Sequence, residues 1–160
     1  MTAPPSSAAT RFLDAGTSRI YAVETIANTS APTRSELDAG LDITGDVAEI
    51  EGFLLESELN DTTVFNSVVA TSKPGTMRPG SSPRIVMYAD QDGYDVRRSW
   101  ARGTTRYIVL LHGGDVAGHL MDVWPVTVAT RSKTFTFESA AFVLVQFAIH
   151  AQPATDVGVP

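Results

Sequence analysis

The sequence contains no cysteine among its 160 residues, which excludes a disulfide framework and any metal site built on thiolates. Its longest apolar run, residues 140–145, is far too short to cross a bilayer. The opening stretch MTAPPSS has neither the basic region nor the apolar core of a secretory signal. No HExxH, Walker, GxSxG or dinucleotide-binding motif is present. We therefore expect a chain that acts where it is made, without membrane insertion, cofactor or catalytic centre.

Basic charge is scarce in the first half of the chain. The formal net charge of −6 argues against a nucleic-acid-binding surface, which needs clustered Lys and Arg. Residues 35–72 hold nine acids and no Lys or Arg, whereas residues 73–106 hold seven basic residues and three acids. One interpretation is ion pairing across a sheet within one molecule. The other is that an acidic face of one copy meets a basic face of the next, because head-to-tail association joins two different surfaces.

Short strands separated by turn signals predict a mainly β protein, an antiparallel sandwich or barrel. The predicted strands are residues 19–25, 47–59 with a bulge candidate at Gly52, 84–89, 106–112, 119–130 with Pro125 at an edge or bulge, an extension at 133–137, and 141–152. A capping box formed by Thr33 and Glu36 predicts a short helix over residues 34–39 that ends at Gly40. A second short helix is predicted over about 93–100, capped by Asp90 or Asp92.

Two regions have the composition of connecting or terminal segments. Residues 60–83 are rich in Pro-Gly and Asn-Asp turn signals, so we predict a long projecting loop with a candidate strand inside it at 67–71. Residues 1–15 begin with an uncharged run of Ala, Pro, Ser and Thr, which predicts a mobile N-terminal arm.

Candidate metal ligands are few and loosely arranged. His112, Asp115 and His119 flank one predicted turn, but a zinc site needs three or four ligands in fixed geometry, and histidines on the surface of a turn are the simpler interpretation. Asp90, Asp92 and Asp95 lack the spaced ligands and terminal Glu of a calcium-binding EF-hand loop. We therefore predict no catalytic, cofactor-binding or metal-binding residues.

The order of elements between residues 88 and 126 is the most informative feature of the chain. It runs YADQD (88–92), DVR (95–97), RGT (102–104), GGDVAG (113–118) and MDVWPV (121–126). With APTRSELDAG upstream (31–40) and FVLVQFAI downstream (142–149), this ordered set resembles the major tail tube protein of long-tailed, siphovirus-like phages of actinobacteria. The resemblance covers roughly residues 16–155.

The resemblance implies a β-sandwich with one or two short flanking helices. The expected organisation is a mobile arm (1–15), a tail tube domain (16–152) with the projecting loop 60–83, and a C-terminal tail (153–160). It also implies that six copies close into a ring, that rings stack head to tail, and that the genome passes through the lumen without specific binding. Expected partners are other copies, the tape measure protein during assembly, and other tail proteins at the tube ends. The expected location is the virion tail, assembled in the host cytoplasm.

A channel that conducts DNA should not retain it, and negative side chains repel phosphates. We therefore predict that five acids face the lumen: Glu49, Glu51, Glu56, Glu58 and Asp122. The alternative for these acids is a solvated outer face or salt bridges with Arg78 and Arg84. The predicted contacts between subunits or rings fall in and beside the projecting loop, at Asp61, Phe65, Lys73, Arg78 and Arg84.

Three other functions fit a β-sandwich of this size. A tail terminator or baseplate ring protein would share the fold and six-fold symmetry but form one ring. A capsid-decorating or glycan-binding module would show an exposed aromatic platform. An enzyme or ligand carrier would need a closed apolar cavity with a polar constellation. The long predicted loop and the opposed charge blocks favour the stacking tube.

Overall fold

The fold was determined as a computed structural model that describes residues 15–89, 99–134 and 140–160. Strands dominate these ranges, and helix α1 is about one and a half turns long. The elements are β1 (Arg19–Val23), α1 (Arg34–Asp38), β2 (Leu41–Asp42), β3 (Val47–Glu51), β4 (Leu55–Asp61), β5 (Ser72–Pro79), β6 (Arg84–Tyr88), β7 (Thr105–Leu111), β8 (Leu120–Thr134), β9 (Phe142–Ile149) and β10 (Ala154–Gly158). The prediction of a mainly β, antiparallel fold with a short helix is confirmed.

Eight strands form one antiparallel sheet, and two form a separate hairpin. The large sheet has the order β2-β1-β7-β8-β9-β6-β3, and β10 pairs with β8 beside this path. Strands β4 and β5 form a two-stranded sheet of their own. Strand β3 therefore lies at one end of the large sheet, directly before the hairpin in the chain.

Strand β8 changes partners along its 15 residues. Its first residues pair with β10, and from Val126 onward it pairs with β9. Pro125 lies at this junction, where its carbonyl oxygen accepts a hydrogen bond from the His150 amide at 3.3 Å. A proline has no N–H to donate. It is tolerated inside β8 because it lies where one partner strand ends and the next begins.

Two apolar clusters cover the opposite faces of β7 and β8. Successive side chains of a strand point to opposite faces, so Ile108 and Trp124 join one cluster while Val109 and Val123 join the other. The first cluster also includes side chains of β1, β6 and β9. The second contains Leu37, through which α1 packs against the sheet. This arrangement agrees with the predicted sandwich.

The helix begins as predicted. The Thr33 hydroxyl accepts a hydrogen bond from the Glu36 amide, and the Glu36 carboxylate accepts one from the Thr33 amide at 2.7 Å. The Ala27 amide also donates to Glu36 at 2.7 Å, and hydrogen bonds from Ala27 and Thr33 hold the pKa of that carboxyl below its ordinary value. The predicted capping box is confirmed.

Four predicted segments differ from the structure. The strand expected over 47–59 is broken into β3 and β4 around Gly52, and the candidate strand at 67–71 lies in the turn region before β5. The loop expected at 60–83 is largely the second strand and the turn of a hairpin, because Ser72–Pro79 pairs with Leu55–Asp61. The tail expected at 153–160 contains β10, which pairs with β8, and it buries Val159.

The other predicted strands are present within a few residues of their expected bounds, and β8 extends to Thr134 as the 133–137 extension suggested. The predicted arm, apart from residue 15, lies outside the described residues. So do most of the second predicted helix and the Asp90–Asp92–Asp95 run.

Candidate assembly surfaces

The β4–β5 hairpin leaves the large sheet at a sharp bend around Gly52. This glycine is buried and has φ +77°, a conformation that side chains with a Cβ rarely adopt. A Cβ placed there would lie 2.8 Å from the Ser82 carbonyl oxygen and 2.9 Å from Pro83 Cα. On the far side of the bend the hairpin begins with a hydrogen bond from the Gly80 amide to the Leu54 carbonyl at 3.3 Å. The sequence directs the bend, because only glycine fits this position without strain.

The hairpin has two chemically different faces. Cross-strand partners share a face, and the register pairs Leu55 with Pro79, Ser57 with Met77 and Leu59 with Pro74. We call these side chains the apolar hairpin face. The charged hairpin face is opposite and consists of Glu56, Glu58, Asn60, Lys73 and Arg78. An Arg78–Glu58 ion pair of 3.1 Å lies on it.

The hairpin ends in a cluster of exposed apolar side chains. We call Val64, Phe65, Val68 and Val69 the hairpin tip, and all four are exposed, Phe65 and Val68 completely. Leu59 and Met77 on the apolar hairpin face are also exposed, by 69% and 55%. Six large apolar side chains exposed on one hairpin mark it as a candidate interaction site.

A groove runs along the base of the apolar hairpin face. Leu55, Met77 and Pro79 form one wall, and Ile149 with residues 151–153 forms the other, around a volume of about 380 Å³. The groove opens to solvent beside the hairpin.

Two of the predicted lumen acids lie on the end strand of the large sheet. Glu49 and Glu51 point to the same exposed side of β3. Both contact the Arg84 guanidinium on β6, at 3.5 Å and 2.6 Å. Arg84, predicted as a contact of the projecting loop, thus pairs with these two acids within one molecule. These ion pairs are exposed and contribute little to stability.

The other predicted residues are separated in the fold. Glu56 and Glu58 lie on the charged hairpin face with Lys73 and Arg78, and Phe65 lies at the hairpin tip. Asp61, at the end of β4, accepts a hydrogen bond from the Thr63 amide at 2.7 Å, and hydrogen bonds from Thr63 lower the pKa of its carboxyl.

Asp122, the fifth predicted lumen acid, lies apart from the hairpin on β8. Its carboxylate contacts His112 Nε2 at 2.9 Å and accepts a hydrogen bond from the Asp156 amide at 2.9 Å, so it joins β7 and β10 to β8.

The histidines and Asp115 have separate partners. His112 contacts Asp122, and His119 Nδ1 contacts the Gly113 carbonyl at 2.9 Å. Asp115 forms an ion pair with Arg34 of α1. Across the ranges that the structure describes, no three His, Asp or Glu side chains are grouped so that they could hold a metal ion. In the same ranges no helix has the length and apolar character needed to cross a membrane.

A network that the sequence did not reveal attaches α1 to the β7–β8 turn. The Arg34 guanidinium makes two hydrogen bonds to the Asp115 carboxylate, at 2.5 Å and 2.7 Å, and another to Asp38 at 2.7 Å. The Tyr21 hydroxyl donates to Asp115 at 2.9 Å. Arg34 holds the pKa of Asp115 below its ordinary value, whereas burial and the neighbouring Asp115 raise the pKa of Tyr21 to about 12. The partners are 81 and 94 positions apart, so no local pattern could have indicated them.

Comparison with known proteins gives one family. The sequence model of a family described as phage tail tube protein matches residues 7–160. A search of curated proteins found no match.

Proposed function

We propose, because this chain belongs to the phage tail tube protein family, that six copies close into a ring and that rings stack head to tail into a tube. The genome passes through this tube into the host cell. During assembly the tube surrounds the tape measure protein, and other tail proteins bind its ends. The resemblance of residues 16–155 to proteins of actinobacterial siphoviruses supports a tail of that type.

The exposed apolar surface of the hairpin carries this proposal. Seven of the ten large hydrophobic residues that are exposed in the described ranges belong to the hairpin or its base: Leu54, Leu59, Val64, Phe65, Val68, Val69 and Met77. Covering one such side chain contributes roughly 1.5–3 kcal/mol, so the hairpin is a strong driving force for association. Because β4 and β5 form a sheet of their own and are almost wholly exposed, the hairpin is available for contact with a subunit of the adjacent ring.

The acids of β3 and β4 support a repulsive lumen. Glu49 and Glu51 share the exposed side of β3, and Glu56 and Glu58 lie on the charged hairpin face. Arg84, Arg78 and Lys73 neutralise most of this charge, and one net negative charge remains on these two surfaces of each subunit. Asp122 lies apart from these four acids on β8, where its carboxylate contacts His112 and accepts a hydrogen bond from the Asp156 amide. A lumen position for Asp122 stays a separate prediction.

Negative-stain electron microscopy of the purified protein over a concentration series, with sizing chromatography, tests the proposal. Hollow tubes of uniform width are expected. Rings that never lengthen would instead identify a tail terminator or baseplate ring protein. A monomer at every concentration, including in the presence of tail initiator proteins, would contradict assembly.

A matched pair of variants tests the hairpin. Leu59 lies on the apolar hairpin face, whereas Leu120 begins β8, and both are exposed. Leu59→Ser is expected to raise the concentration at which tubes appear by about tenfold, because one covered leucine is lost per contact. Leu120→Ser is expected to leave it unchanged. Equal behaviour of the two variants would show that the hairpin is not the assembly surface.

A further inference from the structure

Methionine is the only sulfur-containing residue type of this chain, because the sequence has no cysteine. Peroxides oxidise a methionine thioether to a sulfoxide, and the exposure of the side chain largely decides how fast. The four methionines are residues 1, 77, 87 and 121, and the first lies outside the described residues. Met87 and Met121 are 1% and 0% exposed, whereas Met77 is 55% exposed. Of these three, only Met77 therefore offers its side chain to an oxidant in solution.

Met77 lies on the apolar hairpin face. It is opposite Ser57 in the register, and it forms one wall of the groove with Leu55 and Pro79. Leu59, farther along the same face, is also exposed, whereas the charged side chains of the hairpin are on its other face. A change of polarity at Met77 thus acts on the surface that drives assembly in the proposed function.

We infer that Met77 is a reversible oxidation site that controls whether a free subunit can assemble. Hydrogen peroxide transfers one oxygen atom to the thioether sulfur. The S–O bond forms and the O–O bond breaks, and the proton of the transferred oxygen passes to the other oxygen, which leaves as water. The sulfur is oxidised by two electrons and the peroxide is reduced. This inference rests on the proposed function, since it assigns a regulation to the assembly surface.

The sulfoxide opposes assembly because it is polar and accepts hydrogen bonds from water in the free subunit. An apolar surface that covers the hairpin face offers no donor in exchange, and a polar group buried without a hydrogen bond is unfavourable. Complete oxidation of Met77 is expected to raise the concentration at which tubes appear by about tenfold. Methionine sulfoxide reductases return the sulfoxide to methionine, so this treatment should restore assembly.

Peptide mass spectrometry of the peroxide-treated subunit, at a concentration below assembly, tests the site. Trypsin cuts after Lys and Arg but not before proline, so each methionine falls in a peptide of its own: residues 1–11, 35–84, 85–97 and 107–131. The peptide that contains Met77 should gain an oxygen atom at least about tenfold faster than those that contain Met87 and Met121. Equal rates for these three peptides would overturn the assignment of the site.

Two leucine variants connect the modification to assembly. Met77→Leu keeps the size and apolar character of the side chain but has no sulfur, so it should assemble like the original protein before and after peroxide treatment. Met87→Leu is the matched control, because it removes a buried methionine and keeps Met77, and peroxide should therefore block its assembly. Thermal unfolding of both variants and of the oxidised protein checks that the fold is kept.

A third variant imitates the modified side chain without an oxidant. Met77→Gln places a polar group of similar length on the apolar hairpin face, so it should raise the concentration at which tubes appear by about tenfold in the absence of peroxide. Met77 of the original protein should also be oxidised more slowly in tubes than in free subunits, since the hairpin face is then covered. Equal rates in the two states would overturn the inference.

The outcomes separate the inference from the proposed function. Tubes that form at the usual concentration from protein oxidised at Met77, or a Met77→Leu variant that peroxide still blocks, would overturn the inference and leave the tube intact. An untreated protein that forms neither rings nor tubes would overturn the proposed function and the effect on assembly, and the peptide measurement would still decide whether Met77 is the oxidation site.

Discussion

Replacing Gly52 with alanine should destabilise the subunit at the base of its hairpin. The new Cβ would lie 2.8 Å from the Ser82 carbonyl oxygen and 2.9 Å from both Pro83 Cα and Ser81 Oγ. Two of these three atoms belong to the backbone, so a side-chain rotation cannot relieve the contact. The substitution also forces a residue with a Cβ to adopt φ +77°.

Each of these effects has a known size. A left-handed conformation costs a residue with a Cβ about 1–2 kcal/mol. Forcing an extra carbon into a packed site costs about 1–3 kcal/mol. Because relief of one effect partly relieves the other, we expect a loss of about 3 kcal/mol in the free energy of unfolding. For a domain of this size that loss lowers the melting temperature by roughly 6–12 °C.

Thermal and urea unfolding of the unassembled subunit measure the effect. Gly45→Ala is the matched control, because a Cβ added at Gly45 would have no atom within 4 Å and the φ of this glycine is not positive. Its expected change in free energy is within about 0.5 kcal/mol. A Gly52→Ala variant that melts within about 2 °C of the original would refute the argument that the bend requires glycine.

Three further predictions concern the polar network and the acids. Tyr21 should titrate near pH 12, two pH units above an ordinary tyrosine, and Tyr21→Phe should abolish that step in the ultraviolet absorbance of tyrosinate. The absence of a step near pH 12 in the original protein would contradict this. Because the pKa of Asp115 is lowered in the fold, its contribution to stability is present above the unfolded pKa of about 3.9 and is lost as pH falls through the folded pKa. Asp115→Asn should therefore be less stable than the original at pH 7, and the difference in stability should shrink as pH falls below the unfolded pKa of about 3.9, whereas a constant difference would contradict the argument. Glu49→Lys with Glu51→Lys should assemble into tubes but slow DNA delivery in phage carrying it, and delivery at the original rate would exclude these acids from the lumen.

Local signals in the sequence predicted those parts of the fold that depend on neighbouring residues. Thr33 and Glu36 are three positions apart, so their capping box could be predicted from sequence and was confirmed. Gly52 was predicted as a bulge within one strand, and the structure instead ends β3 before it, at a positive φ. Most strands were found because apolar and β-branched residues recur between turn signals.

Features that depend on distant residues were missed. Strand β5 has the sequence SKPGTMRP, which has the composition of a turn. It forms a strand because its prolines face the free edge, and that is known only once β4 is in register. Likewise, β10 depends on pairing with β8, and Asp115 depends on Tyr21 and Arg34. The amphipathic character of the hairpin follows from the same register.

The separate two-stranded sheet of β4 and β5 has a consequence for how a free subunit survives before assembly. Only Leu55 and Gly75 among the residues of these strands are even partly buried. Local opening costs little where few apolar contacts are broken, so amides of the hairpin should exchange hydrogen faster than those of the eight-stranded sheet. Its turn, residues 62–71, is also the kind of exposed segment that proteases cut first. A subunit outside the tube is thus exposed to degradation at the segment that the proposed contacts would cover, and resistance to limited proteolysis would report how much of the protein has assembled.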